Sequence, residues 1–318
     1  MQEISCVLCR DSASRPLIHE SGYTGRQCST CGLIFISPRP DPEEIEAIYR
    51  EGEAHLSQEW WLQRFPSPAA WLQARHDVAT VRRHQPGGSL LEIGPGRGTF
   101  LAAAARAGYD AVGVELNPAQ AELIRASHGL ACVESLDAAA QMRPDGFDVV
   151  YHCDVISHFH DPHREMGRIR DLLRPGGYHV FETGNLADVD HRYLRLVRSF
   201  QYPDHLFFYG DRSLDLLLEQ TGFERVATHR RSILADRLIR AAIGRVAAAA
   251  RRRAGDRPGD GGTPGPGPQG AAASPPSTAG QAARAALDLF YHGLHETAGR
   301  LPAGPRTPQT LVVVARRA

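Results

Sequence analysis

Three groups of residues have the types and spacing for chemistry. The first is E-x-G-x-G-x-G, running from Glu92 through Gly94 and Gly96 to Gly98, with a second acid, Glu115, further along. An apolar run precedes the glycines and an alanine-rich run follows them, so the turn sits between a strand and a helix, where anions and cofactors bind. Two ligands fail on the residues. A dinucleotide fingerprint G-x-G-x-x-G/A begun at Gly94 places Thr99 in its sixth position, and a phosphate loop needs a lysine in a chain that has none. A carboxylate ahead of the glycines suits a cation better than a pyrophosphate. S-adenosylmethionine carries an ammonium and a sulfonium, and glycine lets its amino-acid end and ribose approach the backbone with no Cβ in the way. Glu115, ending the next strand, is placed to accept both ribose hydroxyls. The plainer readings are a Glu92 that satisfies local backbone donors and a Glu115 that is a solvated strand-end acid.

The second group is Cys6, Cys9, Cys28 and Cys31, two C-x2-C knuckles separated by 18 residues. In a reducing compartment this spacing favours one tetrahedral zinc over disulfides, and four thiolates close the shell, so the metal is structural. A vestigial site or a redox pair is the alternative. Cys132 and Cys153 sit singly in strand-like runs.

The third group is histidines: His158, His160 and His163 in one loop region, His191 and His205 in another. A histidine near its ordinary pKa can take a proton from an attacking nucleophile. His158 is the first candidate for base or orienting residue and His205 the second, with Asp154 an alternative base or a cofactor contact. Either histidine also fits a structural role between loops, and His160 and His163 flank a helix start at the surface. A catalytic metal is not expected: Asp154 and Asn185 are placed for one, but a third ligand is missing.

The elements that must hold these groups alternate from Ser89 onward. "SLLEIG", "DAVGVEL", "LACVES", "FDVVYHCDVI", "YHVFET" and "FERVATHR" read as six strands. Helices lie between them, one capped by Asn117 with Pro118 behind it and another, "PHREMGRIRDLLR", stopped by "PGG". This predicts a doubly wound parallel α/β sheet with helices on both faces and right-handed crossovers, with ligands outside the strand carboxyl ends. "QTLVVVARR" is a lone strand after a Pro/Gly/Ala/Ser-rich stretch. It must rejoin the main sheet as a seventh strand, antiparallel to its neighbours, which makes residues 232–308 a helical insertion with a disordered loop at about 255–281. Residues 1–40 form the zinc ribbon. Residues 41–88 form a helical linker, with Asp41 as an N-cap and two helical pieces over 57–84 broken at "PSP". Tyr49, Trp60, Trp61 and Trp71 there read as a lid or as packing on the domain edge. The arginine-ended helix at 237–253 reads as a solvated face or an acidic partner's site.

"LLEIGPGRGTFL", "VGVELNP", "FDVVYHCDVISHFHDP" and "LLRPGGYHVFET" together resemble the successive motifs of class I S-adenosylmethionine-dependent methyltransferases. "PDHLFFYGDRSLDLLLEQTGF" resembles a block of their ubiquinone-biosynthesis-like branch, and "CVLCR…CSTCGLIFISPRP" the zinc module fused to many of them, including sugar C-methyltransferases. The resemblance spans residues 89–231 and 309–316, and implies a seven-stranded Rossmann-like methyltransferase domain over 89–231 and 309–318. It implies that Glu92, Gly94, Gly96 and Gly98 line the methionine end of the cofactor and that Glu115 binds ribose. Leu116, Ser135 and Leu136 would surround the adenine, and Cys153 and Asp154 would face the sulfonium. The sugar enzymes carry a further C-terminal domain where this chain has only the insertion, which argues against C-methylation of a nucleotide sugar.

Bulk properties narrow the class. Among 318 residues the formal charge is zero, so nothing global points to nucleic acid or an anionic membrane. No signal peptide or membrane span is legible, and the expected location is the cytoplasm. The leading expectation is a methyltransferase acting on O, N or C of a small molecule from secondary or glycan metabolism, as a monomer or homodimer. The alternatives are an RNA methyltransferase using its zinc module for RNA, disfavoured by the charge, and an inactive zinc-ribbon interaction protein, disfavoured by the intact acids and glycines.

Overall fold

The computed structural model describes residues 2–45, 68–194, 197, 199–233 and 304–318, with scattered positions between 285 and 300. Tyr49, Trp60, Trp61, the 237–253 helix and the Pro/Gly-rich loop lie outside the described residues.

The strands form where apolar runs are buried on both faces. β4 (Gly88–Ile93), β5 (Tyr109–Val114), β6 (Ala131–Val133), β7 (Phe147–Cys153) and β8 (Leu173–Gly184) pair in parallel. With β10 (Phe223–Ser232) and β11 (Gln309–Arg317) they make a seven-stranded sheet in the order β10-β11-β8-β7-β4-β5-β6. β11 is antiparallel to both neighbours. The order reverses at β4, between β5 and β7, and ligands of such sheets bind at that switch point.

The helices carry the caps their sequences announce. α1 (Pro68–Arg82) precedes the sheet, and α2 (Thr99–Arg106) buries Phe100 and an alanine face against β5. α3 (Pro118–His128) is capped by Asn117, whose Oδ1 accepts from Ala119 N at 3.0 Å and Gln120 N at 3.2 Å. α4 (Leu136–Met142) is capped by Ser135, and α5 (Pro162–Leu172) by Asp161. Asp41 accepts from Glu44 N while its own N–H donates to the Glu44 carboxylate, a reciprocal cap on residues 42–45. The α5 stop differs from expectation. The helix ends at Leu172, and Pro175 and the two glycines after it belong to the start of β8. Gly176 takes φ +76°, and a Cβ at Gly177 would press on the Arg174 and Asp148 carbonyls, so this tight turn opens a strand.

A second sheet holds the cysteines. β1 (Ser14–Glu20), β2 (Tyr23–Cys28) and β3 (Ile34–Ile36) form an antiparallel meander, and its fourth strand is β9, Phe207–Phe208, from far along the chain. One hydrophobic core therefore runs from Leu33–Ile36 through Phe207 to Phe181 on the face of the main sheet. The other face packs Phe100 on Tyr151, ring centroids 3.7 Å apart, with Val78 and Val81 of α1. Trp71 is an edge residue, with the Arg106 guanidinium 4.3 Å from its ring centroid. Among the described residues no helix is long and apolar enough to cross a membrane.

Candidate functional site

The glycine turn at the end of β4 has Gly94, Gly96 and Gly98 at φ +66°, +53° and +71°, a region side chains rarely adopt. A Cβ on Gly94 would come within 3.0 Å of Val155, and one on Gly98 within 3.0 Å of His128. The turn is pinned by Gly94 N donating to Val114 O and by the His128 ring at 2.9 Å from Arg97 O.

Glu92 lies under this turn, 5% exposed, and its Oε2 has no hydrogen-bond partner. Burial pushes its carboxyl up to about 8; the Leu101 amide opposes this, while the charges of Glu115 and Asp77 add to it. Glu115 stands just past β5. Burial raises its pKa, against hydrogen bonds from the amides of Asn117, Gly96 and Leu116. Glu115 therefore ties the glycine turn to the end of β5 as well as offering a carboxylate there. Leu116 beside it is 52% exposed, an apolar surface of the kind that a flat ring covers. Ser135 differs: its hydroxyl caps α4 by accepting from Ala138 N at 3.1 Å, so that oxygen already has a local partner. Leu136 is half-buried against the core. The orphaned carboxyl oxygen, the second acid and the bare glycine turn fit a cationic adenosine-bearing methyl donor.

At the end of β7, Cys153 and Asp154 reach the surface of a recess. Asp154 adopts φ +54°, a strained conformation for a residue with a side chain and one typical of functional sites. Its amide donates to Glu182 O at 3.0 Å. The Cys153 sulfur and the Asp154 and Glu182 carboxylates lie within 4.8 Å of one another. Burial raises the Asp154 pKa, and it pushes Glu182 up to about 8, with Asp77 and Asp154 adding to that. Asp77 on α1 is pushed up to about 7 by burial, although Arg231 lies 3.6 Å away. Sequence reasoning missed Glu182 and Asp77. Glu182 had a signal, being the acid in "FET" at a strand end, whereas Asp77 had none, since a helical acid looks like a solvated one.

His158 and His205 are brought together, their rings 4.6 Å apart and edge to face. His158 Nδ1 lies 3.1 Å from Asp204 Oδ1 and 3.0 Å from Asp204 O, both acceptors, so this nitrogen carries a proton and donates. Burial lowers the His158 pKa, but the Asp204 carboxylate and carbonyl, with Asp154, more than offset it and the net shift is upward. Asp204 is the third missed residue; its signal is adjacency to His205 in "PDH". A cavity of about 200 Å³ opens here, lined by Asp154, Ser157, Asn185 and His205 among polar groups and by Phe200 and Phe208 among apolar ones. Asn185 is already committed, donating to Thr307 O and accepting from Gln309 N. His163 bonds the Gln220 side chain, and His191 lies 3.1 Å from the Arg15 guanidinium.

The four N-terminal cysteines converge, with Cys6–Cys31 and Cys9–Cys28 sulfurs each 3.4 Å apart and all four sulfurs within 4.8 Å. That is too long for a disulfide and close to the spacing of about 3.8 Å between thiolates around a tetrahedral zinc.

The profile of the family described as "Methyltransferase domain" matches residues 54–228. The chain belongs to this methyltransferase family. Its seven-stranded sheet with an antiparallel last strand is the Rossmann-like fold of S-adenosylmethionine-dependent members. Among curated relatives it is 28% identical over 159 residues to a protein of Xanthomonas campestris named ubiquinone biosynthesis O-methyltransferase, covering 46% of this chain and 66% of the relative. It is 25% identical over 207 residues to the protein of the same name from Burkholderia pseudomallei, covering 58% of this chain and 84% of the relative. The chain thus spans just under two thirds of the first of these relatives. Solved structures similar to this methyltransferase include a Haemonchus contortus phosphoethanolamine N-methyltransferase with S-adenosyl-L-methionine, at TM-score 0.47 and 17% identity over 89% of this chain and 61% of that one. Another is a Burkholderia thailandensis 1,6-didemethyltoxoflavin-N1-methyltransferase, at TM-score 0.45 and 18% identity over 68% and 91%.

Proposed function

We propose that this chain transfers a methyl group from S-adenosylmethionine to a hydroxyl of a small acceptor held in the cavity at the ends of β7 and β8. The observation that carries the reading is the His158–Asp204 pair beside that cavity. S-adenosylmethionine, when bound, supplies an electrophilic methyl on a sulfonium. Glu92, the three glycines, Glu115 and Leu116 would hold it, and Cys153 and Asp154 would face its sulfonium. Because Nδ1 donates to Asp204, the basic lone pair of His158 is on Nε2. With the donor bound, His158 would accept the hydroxyl proton at Nε2 as the acceptor oxygen took up the donor's methyl group, the donor departing as its demethylated thioether. His205, packed on His158 and lining the cavity, orients the acceptor. The names of the curated relatives support oxygen as the acceptor atom. Cys6, Cys9, Cys28 and Cys31 hold a structural zinc.

The base must be unprotonated, and the pKa of His158 lies above its usual value. Turnover therefore rises with pH through that raised pKa and then levels. The test is calorimetry with S-adenosylhomocysteine, followed by methyl transfer from labelled donor to a panel of phenols, other hydroxyl compounds and amines. His158→Ala lowers turnover by about 100-fold with donor affinity retained. Unchanged turnover removes His158 from this role, and absence of donor binding at millimolar concentration removes the whole reading.

A further inference from the structure

The cysteine module and the acceptor cavity are joined by one segment. Residues 199–208 contribute Ser199, Phe200, His205, Phe207 and Phe208 to the cavity wall, and the module holds this segment at its start, its middle and its end. At its start stands Glu20, the last residue of β1. Its carboxylate accepts from Phe200 N at 2.8 Å, from Ser199 Oγ at 3.0 Å and from Tyr202 N at 3.2 Å. Burial raises the Glu20 pKa, but these donors outweigh it and the net shift is downward, so the group is ionised at neutral pH. In the middle, Tyr202 packs so closely on β2 that a Cβ at Gly25 would collide with its hydroxyl. At the end, Phe207 and Phe208 pair with Phe35 and Ile34 of β3. Leu206 bridges the two halves: its carbonyl accepts from Ile36 N at 3.1 Å, and its N–H donates to Ser157 O at 2.8 Å, next to His158. Arg39 adds a bond to His160 O at 2.8 Å.

We propose that the cysteine module is a template for the acceptor site, and that Glu20 is a positioning residue that sets Asp204 and His205 against His158 through the 199–208 segment. The inference rests on the reading of that cavity as the acceptor site. A carboxylate suits the task because it gathers three donors from a stretch of loop that has few backbone partners of its own. β3 supplies the complementary edge, and the four cysteines hold the connection between β2 and β3 where that edge begins. The glycine turn is tied to the main sheet and its helices, through Val114, the His128 ring at Arg97 O, and Glu115.

The experiment uses the full chain with Glu20→Ala, Glu20→Gln and Ser199→Ala, read by amide hydrogen exchange, by the ring resonances of the histidines, and by S-adenosylhomocysteine calorimetry. Expected in Glu20→Ala is exchange at least about 10-fold faster across residues 199–208, displaced resonances for His158 and His205, and an unmoved resonance for His128 in the glycine turn. Affinity for S-adenosylhomocysteine stays within about twofold. Glu20→Gln, which keeps an acceptor oxygen, and Ser199→Ala give the same pattern at smaller size. Stripping the metal with a chelator gives it at full size. Unchanged exchange at 199–208, or deprotection spread equally over β4–β6 with His128 displaced, overturns the proposal. Should Glu20→Ala fail to fold, the two milder variants decide on the same readouts. Failure of the unmodified protein to bind S-adenosylhomocysteine overturns the donor reading instead, while the histidine and exchange patterns still judge this one.

Discussion

The donor half and the acceptor half of the crevice are built by opposite means. The donor half comes from one stretch, residues 88–136, in which each strand is followed at once by the turn and helix that complete it. Its chemistry is mostly backbone: three glycines at positive φ, a helix start and two acids at successive strand ends. The acceptor half is assembled from residues 14–39, 153–160, 182–189, 197, 199–208 and 308–309, pieces drawn from across the chain. Its chemistry is side chains set by loops that distant segments hold. A site of the first kind resists change elsewhere in the chain. A site of the second kind can be retuned by any of its supports, which lets one scaffold serve many acceptors.

The strongest attack on this division is Gly94→Val. A β-branched side chain at φ +66°, pressed on Val155, weakens S-adenosylhomocysteine binding by about 100-fold or more, measured by calorimetry. Amide exchange across residues 199–208 stays slow; if it quickens as far as in Glu20→Ala, the two halves are not separate.

Next is Glu92→Gln. The ligand-free protein buries carboxyls whose folded pKa values are raised, to about 8 for Glu92 and Glu182 and about 7 for Asp77. Between their unfolded values near 4 and these folded values the native state holds more protons than the unfolded one, so stability falls as pH rises. His152 and His179 act the other way. Both are fully buried with unpartnered ring nitrogens, and both have depressed pKa values, that of His152 to about 3. They make stability fall as pH drops below about 6.5, where the unfolded imidazoles charge. From pH 6.5 to 8 the acids and His158, whose pKa is raised, act in the same direction, so thermal unfolding shifts down over that window and saturating S-adenosylmethionine reduces the shift. Glu92→Gln flattens the slope and stabilises the free protein at pH 8 while weakening donor binding several-fold. An unchanged slope removes Glu92 from the ionisation behaviour of the site.

The smallest expected effect is Asn117→Ala, which removes the cap of α3. It costs about 1 kcal/mol in denaturant unfolding and leaves the acceptor segment's exchange unaltered.

The same division explains what could be read in advance. The six strands of the main sheet, the Asn117 cap and the placement of Gln309–Arg317 follow from local apolar runs, turn residues and the impossibility of leaving one strand alone. Glu92, Glu115 and the glycines are neighbours in sequence and in space. β9 could not be read, because two residues, Phe207 and Phe208, are too few to show a period and their partners, Phe35 and Ile34, lie far back in the chain. Asp204 and Glu20 were hidden for the same reason: each has its role through a residue in a distant segment. Asp77 looked like a solvated helical acid because only the packing of α1 on the sheet buries it.

The position of β11 has a consequence for how the molecule is made. It lies between β8 and β10, so β10, which ends at Ser232, has no neighbour in the main sheet until Gln309–Arg317 has left the ribosome. The nascent chain must therefore carry an open β8 edge and an unpaired, arginine-bearing β10 through the whole of that excursion. Interrupted translation would leave two unsatisfied sheet edges exposed to the surrounding proteins.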